Sequence, residues 1–304
     1  MNTVIDSDVL MIGHVSRDRL VVNGHAASFT GGAVHYGSIP LRCIGLKTAV
    51  VTRLHSADFD LLADMERAGV HVVPIPASQT CQMEIIYDTA DQEQRTCLAS
   101  GFAGTYRYAD IPDLPRRVTM ITPLTAGEVD IALIRRLARI SPLALDVQGF
   151  VRVRRENRLV FRDWQEKADC LPLIRFLKMD QVEGEELTGL IDPAEAVRAV
   201  VDMGASEVMI TYRGGVLVYS DGQYYRAAVS SPVHNGRTGR GDTCFATYVG
   251  LRLRWPAAKA IQWAAALTAL KMERPGPFSG TLTDVEQKVT ALKRTDHTWP
   301  SPLQ

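Results

Sequence analysis

The hexapeptide Thr238-Gly239-Arg240-Gly241-Asp242-Thr243 opens a helical pattern over 244–253, and a second, nearly all-apolar helical pattern follows over 260–272. Glycines just ahead of a helix let backbone N–H groups turn toward one point, and the helix end adds partial positive charge there. An anion is the natural guest of such a loop. Asp242 falls in the first turn, where the helix end favours its ionised form and leaves a carboxylate able to orient a hydroxyl. A plain loop with Asp242 as an N-cap is the alternative, and the spacing of this hexapeptide alone does not separate the two.

Upstream, apolar runs alternate with helical patterns. Residues 8–15, 46–51, 71–75, 118–122, 143–147, 176–179 and 207–212 read as strands, and 59–68, 131–140 and 194–203 as helices. Alternating βα units predict an α/β fold, a mostly parallel sheet with helices on both faces and its chemistry at the carboxyl ends of the strands. Two stretches break the rhythm. Residues 19–30 turn at Asn23-Gly24, and 81–99 carry two β-prone runs around a polar turn. They form either a small antiparallel lid or two separate surface hairpins. No repeat and no Pro-, Gly- or Ser-rich linker divides the chain, so residues 1–304 are expected to form one domain, with lid segments at about 16–30 and 79–105. The tail after His297 reads as extended.

The charge balance narrows the partners. Lys plus Arg number 34 and Asp plus Glu 34, so no global field draws the chain to nucleic acid or an anionic membrane. The N-terminus lacks the basic region and cleavage site of a signal peptide, and no apolar run approaches the ~20 residues of a membrane span, which points to the cytoplasm. Five scattered cysteines show neither CxxC nor Cys/His ligand spacing and read as bystander thiols.

The hexapeptide entering an Ala-rich helix pair resembles the signature D-T-x-G-A-G-D near the C-terminus of PfkB, or ribokinase-like, carbohydrate kinases. Gly31-Gly32-Ala33-Val34-His35-Tyr36 matches the family's Gly-Gly signature after the first hairpin. The resemblance implies a ribokinase-like α/β fold with an antiparallel β lid, and an ATP- and Mg2+-dependent kinase acting on a small sugar, polyol or nucleoside hydroxyl. Asp242 carries over as catalytic base, with Gly239, Arg240 and Gly241 as the anion hole. Asp18 matches the acid that holds substrate hydroxyls, and Gly31 and Gly32 the close-approach glycines. Lys178-Met179-Asp180-Gln181-Val182-Glu183 stands where the family often has N-x-x-E, which assigns Asp180 and Glu183 to Mg2+ through water. Thr211, Arg213 and Gly214 resemble the strand-to-turn segment that meets the nucleotide phosphates. The loop 273–278 matches the segment that lines adenine.

Departures from the pattern matter as much. Gly236-Arg237 replaces the signature's Asp-Thr, so the usual monovalent-cation loop lacks its acid, and Arg237 is expected to supply positive charge at the phosphate site instead. Tyr36 stands where many members carry an asparagine, which disfavours a simple ribose pocket. Residues 122–128 and 146–152 are most similar to the myo-inositol-kinase-like branch, with Glu128 and Gln148 placed to reach a polyol or trim its pocket. An exposed lid edge allows a homodimer.

Two other classes compete. A non-catalytic metabolite-binding protein on the same fold would be expected to lose the base or the glycines, and this chain keeps both. A dehydrogenase needs G-x-G-x-x-G after the first strand, and a Walker NTPase needs G-x-x-x-x-G-K-[ST]; neither motif is present.

Overall fold

The computed structural model describes residues 6–22, 25–87, 96–229, 237–295 and 301–302. Its main sheet has ten strands. In spatial order they are Ser301–Pro302, Gln223–Ala227, Gly215–Ser220, Glu207–Tyr212, Ile174–Asp180, Leu143–Asp146, Val118–Ile121, Val9–Ile12, Thr48–Leu54 and His71–Pro76. From Glu207–Tyr212 to His71–Pro76 every pair is parallel. The last three strands at the other edge pair antiparallel.

The unbroken apolar runs have a direct cause. Val9 and Met11 enter one hydrophobic core while Leu10 and Ile12 enter another, and Met209 is split in the same way from Val208 and Ile210. Both faces of these strands are covered by helices, so both side-chain sets must be apolar. One core includes helices Ala33–Cys43, Arg240–Arg252 and Ala257–Met272, and the other includes Ile131–Leu137 and Pro193–Asp202. Among the described residues, no helix is long and apolar enough to cross a membrane.

A second sheet of six strands is the expected lid, larger than the sequence reading made it. Its order is Arg152–Arg155, Arg158–Phe161, Thr96–Ser100, Cys81–Tyr87, Ser16–Val22, His25–Gly31. The two hairpins join through a parallel pairing, Ser16 opposite Cys81 and Val22 opposite Tyr87. A third hairpin, Arg152–Phe161, extends the sheet and was not anticipated. Its turn carries Glu156 at φ 54°, a left-handed position with no glycine to advertise it. The turns at Asn23-Gly24 and at 88–95 lie outside the described residues.

One helix also needs correction. Residues 59–68 were expected as one helix, but a 3₁₀ segment Ser56–Leu62 precedes a short α-helix Ala63–Arg67, with Asp58 out of helical geometry at φ −110° and ψ 16°. The Asp58 carboxylate accepts hydrogen bonds from Arg17 Nη2 at 2.6 Å and Thr80 Oγ1 at 2.5 Å, tying this segment to the root of the lid. Tertiary bonds override local helix propensity here.

Candidate active site

The carboxyl ends of the parallel strands, the lid and the head of helix Arg240–Arg252 enclose a cavity of about 380 Å³. Its lid side is lined by Met83, Ile85, Cys97 and Leu159, and its floor by Lys178, Asp180 and Thr211 at two adjacent strand ends. The helix head contributes Gly239, Arg240, Gly241 and Asp242. Gly239 is the N-cap at φ 77°, a left-handed conformation that places the next amides around the cavity. Within that first turn, Thr243 N–H already bonds Gly239 O at 2.9 Å and Arg240 N–H bonds Arg237 O at 3.2 Å. The amides of Gly241 and Asp242 precede the first α-helical hydrogen bond, and the carbonyls one turn back, Arg237 O and Thr238 O, accept from Arg240 N and Lys271 Nζ instead.

A second carboxylate lines the same cavity. Asp18 is buried, lines the cavity, and its Oδ1 has no hydrogen-bond partner among the described residues. Burial raises its pKa to about 7, with the Asp242 charge adding to the rise. Gly32, at φ 100°, and Tyr36 line the same wall, and Gln148 lines it from the strand end that carries Asp146. One face of the Tyr36 ring is covered, because a β-carbon at Gly239 would stand 2.2 Å from Tyr36 Cγ. Lys271 Nζ lies 5.0 Å from the ring centroid and donates to Thr238 O. Burial lowers the pKa of Lys271 to about 8 despite the opposing pull of Asp242.

Five expected residues are not part of this lining. Gly31 makes a close approach, but to Asp18 rather than to a ligand: a β-carbon there would stand 2.0 Å from Asp18 Oδ2. Glu128 is fully buried and accepts from Leu124 N, Thr125 N and Thr125 Oγ1 at 2.8–3.1 Å, so it holds the loop whose Leu124 lines the cavity. It also lies 3.2 Å from His14 Nδ1; burial opposes the charge on His14, yet Glu128 raises that pKa to about 10. Arg213 and Gly214 sit in the exposed turn closed by the Tyr212–Gly215 pair, whereas Thr211 and Arg237 line the cavity. Glu183, the fifth, is fully buried.

The expected Mg2+ pair does not fit a metal. Glu183 Oε1 accepts from Arg152 Nη2 at 2.9 Å, and Oε2 accepts from Asp180 N at 2.7 Å with Lys178 Nζ at 3.4 Å. Asp180 Oδ1 returns the bond to Glu183 N at 2.8 Å, completing a capping box, and its Oδ2 lies 3.5 Å from Arg152 Nη2. Both Glu183 oxygens and Asp180 Oδ1 are engaged by the protein's own donors, which leaves Asp180 Oδ2, at the cavity, as one open oxygen rather than the pair expected to order a hydrated ion.

Sequence reasoning anticipated Arg237 and Arg240 but missed two further cations. Lys178 and Arg152 both line the cavity, and Lys178 Nζ also lies 3.0 and 3.1 Å from the two oxygens of Asp146. The available signal was Lys178 within the apolar run Phe176–Met179 of strand Ile174–Asp180, since a buried charge is informative where a buried leucine is not. Burial pushes the Asp242 carboxyl above its usual range, and Lys178 followed by Arg152 pull it back.

No protein-family model matches this chain, and no curated protein matches it either. Solved structures do. A pyrophosphate-dependent kinase of the ribokinase family, in complex with a pyrophosphate analogue and myo-inositol, is 34% identical, with TM-score 0.85 over 92% of this chain and 99% of that one. A sulfate complex of a pyrophosphate-dependent kinase of the same family is 36% identical, with TM-score 0.86 over 91% and 99%. The Arabidopsis thaliana ribokinase with ribose and ATP shares the fold at 17% identity and TM-score 0.73 over 93% and 99%. With a third of its residues shared over nine tenths of its length, this chain belongs to the ribokinase, or PfkB, family of carbohydrate kinases, phosphotransferases whose acceptor is a hydroxyl.

Proposed function

We propose that the enzyme phosphorylates a cyclic polyol of the myo-inositol type, with Asp242 as the base and pyrophosphate as the phosphoryl donor. The observation that carries this reading is the sharing of one cavity by Asp18, Asp242 and the head of helix Arg240–Arg252. An acceptor hydroxyl hydrogen-bonded to Asp18 lies in the same chamber as the carboxylate that receives its proton. The loose transition state of phosphoryl transfer asks for positioning and charge stabilisation more than for early deprotonation. The amides of Gly241 and Asp242, with Arg237, Arg240 and Lys178 among the lining residues, suit a small, highly charged anion.

Pyrophosphate replaces the ATP expected from the sequence for two reasons. Relatives at 33–36% identity are pyrophosphate-dependent, and the turn carrying Arg213 and Gly214 lies outside the cavity. ATP is the second reading. It is favoured by a separate cleft of about 440 Å³ lined by Glu273, Arg274, Pro277 and Phe278, the loop expected to meet adenine. The experiment is to incubate the protein with myo-inositol, other polyols, ribose and nucleosides, each with pyrophosphate or ATP and Mg2+, and to detect the phosphorylated acceptor by mass spectrometry. Polyol phosphate formed from pyrophosphate and not from ATP is the expected result. Transfer only to a nucleoside, or only from ATP, would overturn the assignment.

A further inference from the structure

Beneath the head of helix Arg240–Arg252 lies a buried charged cluster drawn from four elements: Asp146, Arg152, Lys178, and Asp180 with Glu183. Lys178 is its centre. Its side chain is 4% exposed, its Nζ contacts both Asp146 oxygens and Glu183 Oε2, and a β-carbon on Gly241 would stand 3.5 Å from that nitrogen. The ammonium thus sits between two carboxylates and beside Gly241, whose amide is assigned to the phosphoryl group. Oxygen-seeking divalent ions take such a seat, between facing acids and beside a phosphate. Here a lysine fills it, and Arg152 engages the remaining Glu183 oxygen.

We propose that Lys178 is the permanent cation of this site, occupying the seat between Asp146 and Glu183 that a divalent metal would otherwise take, so that this cluster holds no metal of its own and a lysine charge faces the phosphoryl group in transfer. The inference rests on the phosphotransfer reading for what Lys178 faces, but not for what it excludes. A metal in this design arrives on the donor's oxygens. Burial works against the charge on Lys178, and Asp146, Glu183 and Asp242 together outweigh it, so the ammonium stays protonated throughout the working pH range.

The test reads metal and turnover separately. Mn2+ is titrated into substrate-free protein and the free-ion EPR signal is followed. Wild type and Lys178→Arg should leave Mn2+ free at about 1 mM, whereas Lys178→Met, which uncovers Asp146 and Glu183, should take up about one ion. His14, Cys81 and Glu128 form a separate buried group of metal-ligand type, so the control is His14→Ala: a His14→Ala chain with Lys178 intact that still binds one Mn2+ at micromolar concentration overturns the proposal, whether or not any Lys178 variant folds. In turnover, Lys178→Met should lose roughly 100-fold or more in kcat with the acceptor KM nearly unchanged, the scale of a lost preorganised charge. Lys178→Arg should recover at least about tenfold of that loss. If Lys178→Met alone does not fold, Lys178→Met/Glu183→Gln restores the charge balance and should show the same kcat loss. Wild-type kcat in either variant overturns the role. The Mn2+ titration contains no substrate, so a wild-type enzyme that phosphorylates no polyol would sink the functional reading while leaving the metal result standing.

Discussion

Replacing Gly31 with alanine adds one methyl group at a place where the three nearest atoms all belong to the Asp18 carboxylate. The new carbon would stand 2.0 Å from Asp18 Oδ2, 2.3 Å from Cγ and 2.6 Å from Oδ1. Real β-carbons do not approach so closely, so the Asp18 side chain must rotate away. Gly31 has an ordinary backbone conformation, and the lid strand His25–Gly31 can accept alanine without strain. The damage should therefore fall on acceptor binding rather than on the fold. A charge-assisted hydrogen bond is worth about 1.5–3 kcal/mol, which converts to a roughly 10- to 100-fold rise in acceptor KM. The assay is steady-state kinetics with acceptor varied at saturating donor, alongside thermal unfolding. The decisive control is a cycle with Asp18→Ala, which removes the colliding group: Gly31→Ala should add almost nothing in that background. An equal KM penalty with and without the Asp18 carboxylate, or a collapse of stability with normal KM, would refute the collision argument.

Asp242→Asn should keep acceptor binding and unfold at the wild-type temperature or higher, because a buried acid is removed, while turnover falls about 10²- to 10⁴-fold; near-normal turnover removes Asp242 as base. The acceptor KM should fall as pH rises through about 7, since Asp18 is neutral below that point and an ionised acceptor above it, and Asp18→Asn should flatten the limb. An alkaline limb near pH 8 should follow from Lys271, which loses its charge as pH rises and with it the attraction for Asp242; Lys271→Met should abolish this limb. Exchange of K+ for a bulky organic cation should change activity by less than about twofold, because Arg237 lines the cavity with a fixed charge; strong K+ activation counts against that role.

The sheet was legible because physics writes it locally. A strand covered on both faces must be apolar at every position, and Val9–Ile12 is buried throughout. Helix Arg240–Arg252 was legible for a similar reason: glycines around Arg240 followed by an apolar stretch announce both a loop and its helix. Gly31 was flagged as a close approach, but a sequence cannot name the partner, and the partner is Asp18. The hairpin Arg152–Phe161 escaped because Glu156 takes a left-handed turn without glycine. Lys178 escaped for a deeper reason. Its partner Asp146 is 32 residues away, and only the adjacency of two parallel strands turns a lysine in the apolar run Phe176–Met179 into half of an ion pair. Burial and long-range pairing are not properties of a local window.

The same limit explains why the source of Asp242's ionisation was misjudged. The sequence pointed to the helix end as the force that keeps it charged, an effect usually worth about 0.3–1 kcal/mol. A unit charge at about 5 Å in a medium of effective dielectric near 20 is worth roughly 3 kcal/mol, so a buried lysine outweighs a helix end wherever both are present. Burial here raises Asp242, and Lys178 and Arg152 then lower it, while Glu183 pushes it back up. Burial and the neighbouring Glu183 thus outweigh the pull of Lys178, Arg152 and Lys271, and the Asp242 carboxyl stays above its usual range. A base left in that balance is a stronger proton acceptor than a free carboxylate, which suits late removal of a hydroxyl proton. On the proposed reading Lys178 serves both partners of the reaction: it steadies the ionised form of Asp242 on one side and faces the phosphoryl group on the other. Neutralising it should therefore disturb the pH profile and kcat together, which a purely structural lysine would not do.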